Sequence, residues 1–172
     1  MKISVTSILN YFFPLKTKSE KAIEQGNRLE EFLHRTPVMK HFKYQHRVSR
    51  LFSVDGKEIE VVGVIDFYDP VSGVIIEAKK YSPQLRAWSS YRKRVEYQIS
   101  FYYHLLRKPR IECFLLIIYD SILDHKPCEF DSPKKLLRFA EMKKVNPRSL
   151  ESIREMIENY VKYSLLAFFQ NQ

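Results

Sequence analysis

The chain has 172 residues, and its 29 Lys and Arg against 20 Asp and Glu give a formal charge of +9. This length suits one compact domain, and 45% apolar with 28% charged residues excludes a disordered chain. Two cysteines, Cys113 and Cys128, exclude a disulfide framework and a four-thiolate metal site. We expect a soluble cytoplasmic protein, because the start of the chain is a poor secretory signal and no apolar run reaches the roughly 18 residues of a membrane span.

Helical spacing of apolar residues predicts a first helix from Ser19 to Arg35, which Thr36-Pro37 ends. The next segment is rich in β-branched and aromatic residues and contains two turn signals, Asp55-Gly56 and the segment 69–73. Tight turns between neighbouring strands predict an antiparallel meander. Its three strands are expected at about 41–54, 59–68 and 74–79.

The second half of the chain predicts a helix, a buried strand and two further helices. The apolar run 111–119 is short and nearly continuous, which indicates a strand buried on both faces and joined to the meander by a helical crossover. The predicted fold is therefore α/β in one domain over 1–172, with a mixed sheet flanked by helices. The helices are expected at about 88–106, 133–143 and 149–169, with a polar turn region at 120–132.

A group of charged residues is predicted where the meander strands meet. Asp66 ends the second strand, and Glu77 and Lys79 are two apart in the third, so they share one face while Ala78 points to the other. Two adjacent carboxylates on a basic protein indicate a hard divalent cation, Mg²⁺ or Mn²⁺, with Lys79 stabilising charge or positioning a water. The simpler alternative is a solvent-exposed Glu–Lys pair.

Three further features accompany this group. Gly26 within the first helix indicates close approach by another backbone, and Glu30 one turn later is a candidate third carboxylate. Gly63 within a strand indicates close approach or a bulge. Gln98 and Tyr102 lie at i and i+4 on one helix face, where Gln98 can bond to a metal-bound water or phosphate and Tyr102 can pack on the site or stack on a base. Each also has a plain structural explanation, such as a core Tyr102.

The order Gly26-x-x-x-Glu30, Gly63-Val-Ile-Asp66, Glu77-Ala-Lys79 and Gln98-x-x-x-Tyr102 resembles the PD-(D/E)XK nuclease superfamily. It is most similar to the RecB-like branch, which includes CRISPR-associated exonucleases and archaeal-virus relatives. The resemblance implies a restriction-endonuclease-like core, at about 19–120, and metal-dependent DNA cleavage. It implies these roles: Asp66, Glu77 and the Ala78 carbonyl as metal ligands, Lys79 as the catalytic lysine, Gln98 and Tyr102 as site or DNA contacts, and Glu30 as the helix carboxylate.

The sequence departs from these relatives in two places. Glu30 stands where the CRISPR-associated proteins often carry a histidine ligand, and the nearest histidine is His34, so either residue is a candidate third ligand. Phe13 stands where those relatives carry a cysteine of an iron–sulfur cluster, and there is no cysteine group near the C-terminus. We therefore expect no iron–sulfur cluster.

The segment between Lys79 and Gln98 mixes cations with aromatic rings, as a channel for single-stranded nucleic acid requires. A polar connector with Trp88 in the core is the alternative. The candidate contacts are Tyr81, Arg86, Trp88, Tyr91, Arg92, Lys93 and Arg94.

The leading functional hypothesis is a deoxyribonuclease that acts as an exonuclease or on single strands and flaps, with single-stranded DNA or duplex ends as its partner. Glu30 also fits a branched-DNA (Holliday junction) resolvase, which implies a homodimer. A third hypothesis is a non-catalytic nucleic-acid-binding module that keeps the fold. A virus or plasmid origin fits the resemblance.

Overall fold

The structure, a computed structural model, describes residues 1–15, 20–86 and 89–170, with side chains throughout except for Arg86 and 165–170. Strands and helices alternate along most of this range. The strands are β1 (Lys2–Ser4), β2 (Lys43–Val54), β3 (Lys57–Asp69), β4 (Val74–Lys80), β5 (Glu112–Ile118) and β6 (Ala140–Val145). The helices are α1 (Val5–Phe12), α2 (Glu20–His34), α3 (Pro83–Arg86), α4 (Ser90–Leu106), α5 (Pro133–Leu136) and α6 (Leu150–Gln170).

The strands form one six-stranded mixed sheet in the order β1-β3-β4-β5-β6, with β2 also paired to β3. β2, β3 and β4 are antiparallel, as the two turn signals predict. β5 lies parallel to β4 because α4 carries the chain back across the sheet, and Ala78 pairs with Leu116 in that register. The predicted fold class, α/β with an antiparallel meander and a crossover strand flanked by helices, is confirmed.

The sheet divides at the middle of β3. β2 pairs with one edge of β3 over nearly its whole length, so β1 and β4 must share the other edge. β1 pairs with residues 60–62 and β4 with 67–69. Residues 63–66 therefore face a gap between the two strands in the described part of the chain. Asp66 lies at the lower end of this gap, beside β4.

Apolar side chains bury both faces of the sheet. Ile75, Leu115 and Ile117 point to the face covered by α1, α4 and α6, where they join a large apolar cluster. The alternate residues Ile76 and Leu116 point to the other face, where α2 packs. The continuous apolar sequence of β5 thus reflects burial on both sides, as predicted.

Helix α4 begins and ends close to its predicted limits. The Ser89 side chain caps it by accepting a hydrogen bond from the Arg92 amide at 3.2 Å. Arg107 adopts a left-handed conformation at φ 52° directly after the helix, and Pro109 follows two residues later. These signals place Gln98 and Tyr102 at mid-helix, facing the sheet.

The structure differs from the sequence prediction near the C-terminus and at the N-terminus. The predicted helix 133–143 is wrong beyond Leu136, because Ala140–Val145 forms β6 at the sheet edge and is buried mainly at its two ends. The predicted C-terminal helices at 133–170 are therefore interrupted by a strand. β1 and α1 were not predicted, since three and eight residues are too few for a periodic pattern.

Within the described residues, we find no helix with the length and apolar character needed to cross a bilayer.

Candidate metal centre

Asp66 fills the gap where β3 separates from β4. The amide of Ala78, which has no strand partner on this side, donates a hydrogen bond to Asp66 Oδ2 at 3.0 Å. The carboxylate thus replaces a missing ladder bond and is held beside β4. Because the N–H and C=O of a strand residue point to the same side, the Ala78 carbonyl also faces this gap.

Glu77 and Lys79 lie on the same face of β4, as their spacing predicts. The Lys79 ammonium forms an ion pair with Glu77 Oε1 and lies 3.6 Å from Asp66 Oδ2. The side chains of Glu77, Asp66 and Lys79 are 0%, 12% and 18% exposed. These values exclude the alternative of a solvent-exposed Glu–Lys pair.

The charges in this group are out of balance, with two carboxylates against one ammonium. Burial, followed by the negative charge of Asp66, raises the pKa of Glu77 to about 8. Burial alone lowers the pKa of Lys79, but the attraction of Glu77 and Asp66 outweighs it and raises that pKa well above the usual value. Lys79 is therefore a stable cation, and Glu77 readily takes up a proton when no other positive charge is present.

Gln98 positions Glu77 from helix α4. Its Nε2 donates hydrogen bonds to Glu77 Oε1 at 2.7 Å and to the Tyr102 hydroxyl at 2.8 Å. Tyr102 is only 3% exposed, so of its two expected roles the structure favours packing on the site and not stacking on a base. Gln98 and Tyr102 instead brace the carboxylate from beneath.

The Tyr102 ring packs directly on the backbone of Gly63. A Cβ at Gly63 would lie 2.7 Å from Tyr102 Cε1 and 3.3 Å from Val5 Cγ2. Close approach at Gly63 is confirmed, although a side chain makes it. At Gly26, by contrast, a Cβ would have none of the described atoms within 4 Å, so the predicted close approach there is wrong.

These two glycines give a matched pair of stability predictions. Gly63→Ala is expected to lower the free energy of unfolding by about 1–3 kcal/mol, because the buried ring cannot give way without breaking its bond to Gln98. Gly26→Ala, inside α2, is expected to raise it by about 0.5–1 kcal/mol. Urea unfolding of both variants checks the opposite signs, and a neutral Gly63→Ala would contradict the tight packing.

The two candidate third ligands lie in different surroundings. Glu30 lines a cavity of about 170 Å³ together with Ala78 and Lys79. His34 is exposed and stacks on Tyr44, with ring centroids 4.4 Å apart. Nevertheless, no three His, Cys, Asp or Glu side chains of the described ranges stand together in a group able to hold a metal. Glu30 borders the site, and its negative charge is among the causes that raise the pKa of Glu77.

The donor set fits a divalent cation with part of its hydration shell. Glu77 Oε2 is buried and has no hydrogen-bond partner in the described structure, which is costly for a carboxylate oxygen. Asp66 and the Ala78 carbonyl supply two further hard oxygens at the same gap. Mg²⁺ and Mn²⁺ commonly use one or two carboxylates and keep several waters, so a third carboxylate is not required.

The structure places the predicted nucleic-acid contacts in different surroundings. Tyr91 lines the small cavity beside Lys79, and Lys93 is exposed. Arg92 is held in part by an ion pair with Glu96 at 3.0 Å. Trp88 and the side chain of Arg86 lie outside the described residues.

Arg94 is buried, with 6% exposure, and anchors the N-terminal segment. Its guanidinium donates to the Phe13 carbonyl at 3.1 Å and to Asn10 Oδ1 at 2.8 Å. It therefore ties α1 to α4 and is not presented to a phosphate. The sequence signal that was missed is Asn10, a polar residue within the apolar stretch from Ile8 to Leu15, which is too weak to predict a partner 84 residues away.

The sequence matches no family model and no curated protein. The fold is similar to that of the crystal structure of SSO0001, with a TM-score of 0.60 and 16% identity over 94% of this chain and 76% of that one. It is also similar to a phage-related exonuclease from Haemophilus somnus 129PT, with a TM-score of 0.58 and 15% identity over 98% and 82% of the two chains. At these identities the likeness shows a shared fold.

Proposed function

We propose that this protein is a divalent-metal-dependent deoxyribonuclease that hydrolyses phosphodiester bonds, with Asp66, Glu77 and Lys79 as its reactive centre. The observation that carries the proposal is a buried pair of carboxylates that share one ammonium, with no hydrogen-bond partner for Glu77 Oε2 among the described residues. Burying such a group lowers the stability of the fold, and buried groups with strongly shifted pKa values cluster at functional sites. The shared fold with a phage-related exonuclease supports the same reaction class.

Each residue has a distinct part in the proposed reaction. Asp66, Glu77 and the Ala78 carbonyl would hold Mg²⁺ or Mn²⁺, and Gln98 keeps Glu77 oriented toward it. Bound there, the cation would polarise the phosphate and lower the pKa of a water. Lys79 contributes fixed positive charge toward the pentavalent phosphorus as negative charge develops on its oxygens. Its raised pKa favours this electrostatic role over proton abstraction.

Metal binding is expected to stabilise the folded protein. At about 100 times the dissociation constant, Mn²⁺ should raise the melting temperature by roughly 5–10 °C. At one fixed Mn²⁺ concentration the shift should be larger at pH 8.5 than at pH 6, because the cation must displace the proton from Glu77. Thermal unfolding of the parent, Asp66→Asn and, as a control, the exposed Glu24→Gln checks this. An equal shift in Asp66→Asn would place the metal elsewhere.

Cleavage itself is tested with end-labelled single-stranded, duplex and branched DNA. We expect products with Mn²⁺ or Mg²⁺ and none with EDTA, and single strands or duplex ends to be cut before a four-way junction. Preference for the junction would favour the resolvase alternative. DNA binding without cleavage under any metal would favour a non-catalytic module.

A further inference from the structure

A second, larger cavity adjoins the candidate metal centre. It measures about 550 Å³, within the range of ordinary ligand pockets. It shares Ala22, Lys80 and Tyr91 with the smaller cavity that contains Lys79. A ligand that extends from Lys79 would therefore enter it directly.

The lining of this cavity suits an uncharged, hydrogen-bonding group. Lys80 is the one charged side chain among its described lining residues, and its ammonium is balanced by Asp120 at 2.7 Å and bonded to Gln25 at 2.8 Å. The other lining residues combine rings and apolar groups with amides and hydroxyls. They include Leu15, Gln25, Tyr81, Ser82, Gln84 and Tyr91.

The Tyr81 side chain lines this cavity and is held in place by its neighbours. Its backbone amide donates to the Ile118 carbonyl at 2.7 Å, which extends the pairing of β4 and β5 by one residue. Its ring stacks on Tyr119, with centroids 4.9 Å apart and planes inclined by 28°. The Tyr119 hydroxyl in turn donates to Glu141. A ring held in this way loses little conformational freedom on binding.

We propose that this cavity receives the base of a nucleotide flanking the scissile phosphate, with Tyr81 as its stacking surface. The proposal rests on the proposed nuclease function, and it names a contact of that same site. The phosphate would lie toward Lys79, and the polar and aromatic groups of the described lining would take the planar base. Stacking tolerates every base, so this contact recognises nucleic acid without requiring a particular sequence.

The experiment compares a 5′-phosphorylated thymidine octanucleotide with its fully abasic counterpart, which has the same charge. Binding is measured by fluorescence anisotropy in EDTA, so that cleavage is not needed. We expect the parent to bind the intact strand about tenfold more tightly, or about 1.4 kcal/mol, because one base would stack on Tyr81. In Tyr81→Ala this preference should fall below about threefold, and Tyr81→Phe should retain it.

Tyr163→Ala is the matched control, because Tyr163 is 49% exposed on α6 and lines neither cavity. It should keep the tenfold preference. If Tyr81→Ala weakens binding of the intact and abasic strands equally, or keeps the full preference, the base pocket is overturned while the nuclease proposal stands. If the parent binds neither strand, both proposals are overturned.

Discussion

Replacing Lys79 with methionine is expected to lower the rate of DNA cleavage by about 10²–10³-fold, the usual cost of removing one preorganised charge from a buried reaction site. Methionine keeps most of the length and apolar stem of lysine but not the ammonium that lies between Glu77 and Asp66. DNA affinity should change by no more than about threefold, since phosphate binding is spread over many cations of a protein with a charge of +9. Single-turnover cleavage and anisotropy measure the two effects separately.

The same substitution removes the partner of two buried carboxylates, so a loss of stability of about 3–5 kcal/mol is also expected. Cleavage must therefore be measured where circular dichroism shows the variant to be folded. Lys79→Arg, which keeps the charge, should remain folded and cleave at least about tenfold faster than the methionine variant. Lys57→Met, at the exposed hairpin turn, is the control for loss of one positive charge. A folded Lys79→Met that cleaves within tenfold of the parent would contradict the proposed role.

The sequence predicted the strands and turns that bring the charged residues together. Asp55-Gly56 and the 69–73 turn set the meander, and the register then places Asp66 beside the strand that carries Glu77 and Lys79. Local signals suffice here because tight turns fix the pairing of neighbouring strands. Local signals could not predict the burial of Glu77, because that burial depends on how α4 and the apolar cluster pack on this face of the sheet.

Contacts between distant segments account for what the sequence did not reveal. Arg94 carries the charge expected of a DNA contact, and its burial follows only from the packing of α1 against α4. β6 has charged residues that suit a helix, yet pairing with the buried strand β5 decides its conformation. For Gly26 the sequence predicted a close contact that the described residues do not make, because a glycine within a helix can also face open space.

In the absence of metal, the free energy of unfolding should depend on pH through Glu77. With a folded-state pKa of about 8 against about 4.5 in the unfolded chain, Glu77 binds its proton more tightly in the folded protein. Its destabilising contribution is therefore absent below about pH 4.5, grows as pH rises, and is complete above about pH 8. Glu77→Gln should cancel this contribution, because the remaining Asp66 and Lys79 balance each other in charge.

We expect Glu77→Gln to exceed the parent in free energy of unfolding by an amount that grows from pH 5 to pH 8.5 and reaches a few kcal/mol. Urea unfolding in EDTA at several pH values measures this difference, from which the titration of groups distant from Glu77 cancels. Glu24→Gln on the exposed side of α2 should show no such trend. A difference that stays constant with pH would mean that Glu77 is not held in a charge-deficient site. If Mn²⁺ abolishes the growing difference between Glu77→Gln and the parent, the cation stabilises the parent by binding its two carboxylates. The lower stability of the metal-free parent would then be the cost of keeping a cation site.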